Sequence, residues 1–209
     1  VRRVLNGVLL PDPVLDLAVN SQSERGLLGM ALDKRFHVNG YVYLYWTESS
    51  TGEDTNVNAN VPLLGNRVDR FVWNGSTLTF DGNVVMLRAN QPAVPAVPGP
   101  AQNAAGNHNG GVIKVSPDDG KLYIFIGDNG RRGWTQNLRC GPATFYDCPP
   151  SSPVMDDVFG GPMPDNAHLT GVVLRLNPDG TAPRWNPFYN YGAEVGGEVG
   201  ANIQKIYAY

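Results

Sequence analysis

Charge is scarce in this 209-residue sequence: Asp, Glu, Lys and Arg make up 17% of it, against about 25% in an average globular domain. The balance is a net charge of −3, with arginines paired only at Arg2-Arg3 and Arg131-Arg132. That argues against nucleic acid as a partner, because phosphate binding needs a basic face. A long apolar run is also missing. The longest stretch free of Asp, Glu, Lys and Arg, Ala89 to Ile113, is broken by prolines and asparagines, so it cannot span a bilayer as a helix. No long helical periodicity is present. Histidine occurs three times and cysteine twice, with no metal-type spacing between them.

The two cysteines, Cys140 and Cys148, sit in the loop RCGPATFYDCPP. Read as a disulfide, they close a short loop for roughly 2–3 kcal/mol, and an exported protein follows, periplasmic or secreted. Read as two unpaired loop thiols, they imply nothing about compartment. The sequon Asn74-Gly75-Ser76 adds little, since Asn-Gly is first of all a hairpin turn. No signal peptide is visible and the chain starts at Val1, so the expectation is a processed chain or a piece of a longer one.

Turn-formers are abundant. The 25 glycines, 17 prolines and 20 asparagines punctuate β-branched and aromatic runs, which predicts an all-β fold. Val1 to Leu10 reads as a strand, an Asn-Gly turn and a returning strand. Gly26 to Leu32, Tyr41 to Thr47, Arg67 to Val72 and Thr77 to Phe80 follow as strands. The same order returns with Gly111 to Val115, Leu122 to Ile126 and Val172 to Leu176, and Ile203 to Tyr209 reads as a last strand. A repeated, hairpin-built unit points to the four-stranded blades of a β-propeller. A twisted β-sandwich fits the strands but not the repeat. Residues 1–209 are therefore expected to be a partial propeller with no second domain: the end of one blade, two further blades with long loops, and the start of the next. An open segment would expose strand edges, so a larger ring is expected. The long loops are Glu48 to Asn66, Ala89 to Ala104 and Arg131 to Leu169; the last reads either as a wall of a binding site or as surface elaboration.

Chemistry concentrates between Ala105 and Arg132, AGNHNGGVIKVSPDDGKLYIFIGDNGRR. Two strands flank a Pro-Asp-Asp-Gly turn, so His108 before the first and Asp128 after the second should meet at one end of an antiparallel hairpin. An imidazole ordinarily titrates near 6.5 and suits proton abstraction near neutral pH. His37 and His168 read as structural. Asp128 and Asp165 fit turn caps as well as metal ligands, and no residue is singled out as a metal ligand. The stripe Tyr41, Tyr43, Tyr45 lies on one strand face and reads as core or blade-to-blade packing.

Three collinear stretches resemble the soluble quinoprotein glucose/sorbosone dehydrogenase family, on its aldose sugar dehydrogenase side. They are Glu24 to Gly29 with Asn39 to Tyr43; Asn107 to Gly111 with Pro117 to Gly130; and Gly171 to Gly180 with Asn186-Pro187 and Ile206-Tyr207. The resemblance implies a six-bladed propeller, of which this chain is about half. It implies pyrroloquinoline quinone (PQQ) and calcium, and oxidation of the anomeric hydroxyl of an aldose to a lactone, with an external electron acceptor. On it His108 falls on the general base, taking the hydroxyl proton while hydride leaves for the quinone. Glu24, Asn107, Gly133 and Trp134 fall on sugar contacts, and His108 and Arg131 on the cofactor. Glu24 stands where the family's soluble glucose dehydrogenase has a glutamine. Asn107 replaces an aspartate beside the histidine, and an amide cannot stabilise an imidazolium as a carboxylate does. The main cofactor and calcium ligands are expected beyond Tyr209, so this segment alone is expected to be inactive. Two other readings remain: a non-catalytic propeller that binds a protein or glycan, and a metal-dependent lactonase-like propeller.

Overall fold

The computed structural model describes residues 1–89, 106–127, 169 and 171–208. Their strands form three antiparallel sheets. β1 (Arg2–Leu5) and β2 (Val8–Pro13) make a hairpin in which Leu5 faces Val8. Asn6 and Gly7 between them have φ of 49° and 80°, the left-handed pair that matches a two-residue turn to the twist of its strands. The predicted Asn-Gly turn is there.

β3 (Leu27–Leu32), β4 (Tyr41–Thr47), β5 (Asn66–Trp73) and β6 (Leu78–Leu87) form a four-stranded meander in chain order. β7 (Val112–Val115), β8 (Leu122–Phe125), β9 (Val173–Leu176) and β10 (Ile206–Ala208) repeat that order in the next sheet. These are two blades of a propeller, as the internal repeat predicts.

Strand β4 shows why the blades stack. Its alternation places Tyr43 and Tyr45 on one face, packed with Ile113, Ile124 and Leu174 of the second blade. Val42, Leu44 and Trp46 face the other way, against Val1, Val14 and Leu17 of the N-terminal segment. A strand buried on both faces needs apolar residues at every position, and YVYLYWT provides them. The tyrosine stripe is blade-to-blade packing.

The first strands of the two blades touch backbone to backbone. A methyl group added at Gly29 of β3 would overlap the carbonyl of Gly111, and one added at Gly111 would overlap the side chain of Leu28. Gly29→Ala is therefore expected to cost about 2–3 kcal/mol, since the obstacle is main chain that cannot rotate aside. Gly82→Ala, where nothing lies within 4 Å of the added carbon, is the control and should change the unfolding free energy little. Equal denaturation midpoints for the two variants would show that the blades can separate at no cost.

The structure departs from the sequence reading in three places. β6 runs to Leu87, well past the expected Phe80. Arg70 pairs with Asp81 and Asn83 donates to Asp69 (2.8 Å), so the chain after Phe80 continues the strand as a bulge with shifted register. Two helices, α2 (Tyr189–Val195) and α3 (Gly197–Lys205), stand where the sequence reading places no element, and α3 takes up the start of the expected last strand. They cross closely at Gly192 and Gly200, where a Cβ on either would meet the backbone of the other. Finally, β10 pairs with β9 and closes the second blade as its edge strand instead of opening another. The loop 48–66 is also tied down: buried Asn20 donates to the carbonyls of Val57 (3.0 Å) and Asn60 (2.8 Å).

On the surface, Arg175 of β9 reaches Asp119 in the β7–β8 turn (2.5 Å). Partial burial works against ionisation of Asp119, but hydrogen bonds from Arg175, the Lys121 N–H and Ser116 win, holding its carboxyl at about 2. A depressed folded value contributes stability above the unfolded pKa, near 3.9, and that contribution is lost as pH falls through about 2. Asp119→Asn should flatten the acid limb of a stability–pH curve below pH ~4 and lower stability near neutrality by a small, salt-screened amount. Chemical denaturation at a series of pH values measures both.

Candidate functional site

The loop 106–111 leads into β7 at one end of the second blade. Gly106, His108, Gly110 and Gly111 have φ of 67°, 56°, 74° and 105°. Gly111 N–H donates to the Phe125 carbonyl (3.0 Å), so the loop runs beside the chain leaving β8. A methyl group on Gly127 would overlap the carbonyl of His108. The hairpin thus returns the chain to the histidine, as predicted.

His108 is exposed and is one of four non-glycine residues with positive φ among those described. Holding such a residue left-handed costs about 1–3 kcal/mol, and it persists where surrounding bonds over-determine it. Two of those bonds come from the first blade. Glu24, in the turn before β3, donates its own N–H to the Gly106 carbonyl (3.1 Å). Its carboxylate accepts the His108 N–H at 2.6 Å. A hydrogen bond to a charged group contributes about 1.5–3 kcal/mol, enough to offset the strain.

Beneath the loop lies a buried polar network. Asn109 donates to the Gly106 carbonyl (2.8 Å) and accepts from Asn66 (2.9 Å), while its carbonyl accepts the Tyr45 hydroxyl (2.9 Å). Asn66 also donates to the Arg88 carbonyl (2.9 Å) and accepts from Thr47 (2.6 Å). Burial pushes the Tyr45 hydroxyl upward, so it stays a donor. Networks satisfied in this way rigidify a core.

Arg25 completes the support. Its guanidinium donates to the carbonyl (3.0 Å) and side-chain oxygen (3.1 Å) of Asn58 and to the Ala89 carbonyl (2.8 Å). Its Nε is buried and has no acceptor among the described residues, and it lies against Gly106, where a Cβ would come within 2.9 Å. Burial lowers the guanidinium from its ordinary value, though far from neutrality.

Of the residues singled out in the sequence, Glu24 and His108 are brought together from separate blades, and Asn107 is half-buried beside them. Asp128, Arg131, Gly133, Trp134, Cys140, Cys148, Asp165 and His168 lie outside the described residues. His37 sits in α1 (Phe36–Asn39), a short turn remote in sequence from the loop. Sequence reading missed Arg25, Asn66 and Asn109 as supports. Arg25 and Asn109 each adjoin a residue that drew notice, and Asn66 carried no signal beyond ending a long loop.

Comparisons with known proteins match this architecture. The family described as Glucose / Sorbosone dehydrogenase matches residues 2–142. The chain is 28% identical over 179 residues to quinoprotein glucose dehydrogenase B of Acinetobacter calcoaceticus, covering 85% of this chain and 32% of that protein. A crystal structure of a Thermus thermophilus protein described as a glucose dehydrogenase superposes with a TM-score of 0.59 at 27% identity, over 98% of this chain and 43% of that one. The apo-form of the soluble aldose sugar dehydrogenase from Escherichia coli has the same fold, with a TM-score of 0.57 at 21% identity over 90% of this chain and 41% of that one. The chain spans less than half the length of these relatives.

Proposed function

The chain belongs to the glucose/sorbosone dehydrogenase family, and from that premise we propose that the whole protein is a quinoprotein sugar dehydrogenase with His108 as its general base. It oxidises the anomeric hydroxyl of an aldose to the lactone. The observation that carries this reading is the placement of His108: an exposed side chain on a strained backbone that is held from two blades at once. Catalytic groups need that kind of preorganisation. An imidazole nitrogen takes the hydroxyl proton as the adjacent carbon loses hydride, and then releases the proton to water. PQQ, when bound, supplies the two-electron acceptor, and an external acceptor takes the electrons onward. Asn107, Gly133 and Trp134 complete the sugar pocket in this proposal, with the indole stacking on a pyranose face.

The imidazole suits a position beside a quinone. The positive charge that an anionic quinone also requires does not come from the described residues around it: Glu24 is an acid, and Arg25 is turned to Asn58 and Ala89. Arg131 is the further candidate in this chain. Among the described residues no group of three or more His, Cys, Asp or Glu could hold calcium, and no helix is long and apolar enough to cross a membrane. A periplasmic or secreted location goes with the disulfide reading of Cys140 and Cys148.

The test is dye reduction by the whole protein with PQQ, calcium and glucose or another aldose. Reduction that requires both sugar and quinone supports the proposal. A folded protein that leaves the dye oxidised across a panel of aldoses is a binding module, and lactone hydrolysis without quinone makes it a lactonase.

A further inference from the structure

We propose that Glu24 is a positioning residue: its carboxylate fixes the backbone of His108 and so aims the imidazole, instead of holding the sugar. The inference rests on His108 being the base. Three observations carry it. One carboxylate oxygen of Glu24 already accepts the His108 N–H at 2.6 Å. The Glu24 main chain is docked on the same loop through the Gly106 carbonyl. And His108 occupies a left-handed conformation, φ 56°, that a residue with a β-carbon keeps only under restraint.

The geometry makes the bond decisive for direction. The Cα–Cβ vector of His108 is set by its own φ and ψ, so loss of the N–H anchor lets the residue relax toward right-handed or extended backbone and swings the ring. Two other tethers, Asn109 to Gly106 and Tyr45 to the Asn109 carbonyl, hold the residues on either side and do not grip the His108 N–H. Arg25 is no substitute, because a guanidinium only donates and cannot accept the His108 N–H.

The test compares Glu24→Ala with Glu24→Gln in the whole protein, because the glutamine carbonyl can still accept the N–H and alanine cannot. In the dye assay Glu24→Ala should lower kcat roughly 10- to 100-fold with KM unchanged, and Glu24→Gln should recover most of the loss. A second readout does not depend on catalysis. The sequence has three histidines, so selective 15N-histidine labelling gives a small set of backbone amide signals. The His108 amide proton should shift upfield and exchange faster in Glu24→Ala, and stay near its original place in Glu24→Gln. A raised KM with unchanged kcat and an unmoved His108 amide would overturn the proposal and make Glu24 a sugar ligand. If the amide responds as expected in a protein with no dehydrogenase activity, the positioning stands and the proposed function fails.

Discussion

Replacing His108 by alanine in the whole protein is expected to lower kcat/KM for an aldose by about 10²–10⁴-fold, the usual contribution of a positioned general base. Stability should hardly move. His108 is exposed, and the strain of its left-handed backbone is common to histidine and alanine. His108→Asn is the sharper variant. Asparagine tolerates the left-handed region better than other residues with a β-carbon, so it should fold at least as well as the wild type while still lacking a base. Steady-state dye reduction and thermal unfolding on the same preparations separate the two effects. Activity within a few-fold of wild type in His108→Asn, with the unfolding midpoint preserved, would remove His108 from the mechanism. Activity lost together with the midpoint would point to a structural role.

Asp69→Ala is expected to cost about 3–5 kcal/mol. Asp69 is fully buried in β5. Its oxygens accept from Arg67 Nε (2.7 Å), Trp46 Nε1 (2.8 Å) and Asn83 Nδ2 (2.8 Å). Arg67 also stacks over the Trp46 ring at 5.3 Å and reaches Glu48 at 2.9 Å. Removing the carboxylate leaves three donor side chains around an empty acceptor, one of them a cation pulled partly out of water. The Glu48 contact remains and lessens the loss. Asp69→Asn keeps the shape and one acceptor oxygen, so it should fall between wild type and alanine. Since whole domains are stable by only about 5–15 kcal/mol, Asp69→Ala should show as a clear drop in the urea midpoint. An unchanged midpoint would mean that the β5–β6 ladder and apolar packing hold these strands without the carboxylate.

Much of the fold was legible because alternation and turn chemistry are local. VRRVLNGVLL spells a hairpin within ten residues, and YVYLYWT spells a strand buried on both faces. The unexpected elements depend on distant partners. Strand β6 continues past Phe80 because Arg70 and Asp69 take up the polar ends of Asp81-Gly82-Asn83. The crossing of α2 and α3 depends on two glycines eight positions apart being pressed together, and neither short helix has a sustained periodicity to betray it. In the site, His108 stood out through its neighbours in sequence. Asn66 did not, because its amide matters through partners distant in sequence, Asn109 43 positions away among them.

By itself the sequence determined that the chain builds repeated antiparallel blades and that one imidazole stands in the loop before a strand. Both follow from short-range rules: side chains alternate along a strand, and Asn, Gly and Asp bend it. The tertiary structure decided what holds that imidazole. Glu24 and His108 are 84 positions apart, and they meet because Gly29 and Gly111 let two strands approach at backbone distance. Such a contact depends on the stacking of two sheets, a non-local balance of burial and sterics that no window of the sequence contains.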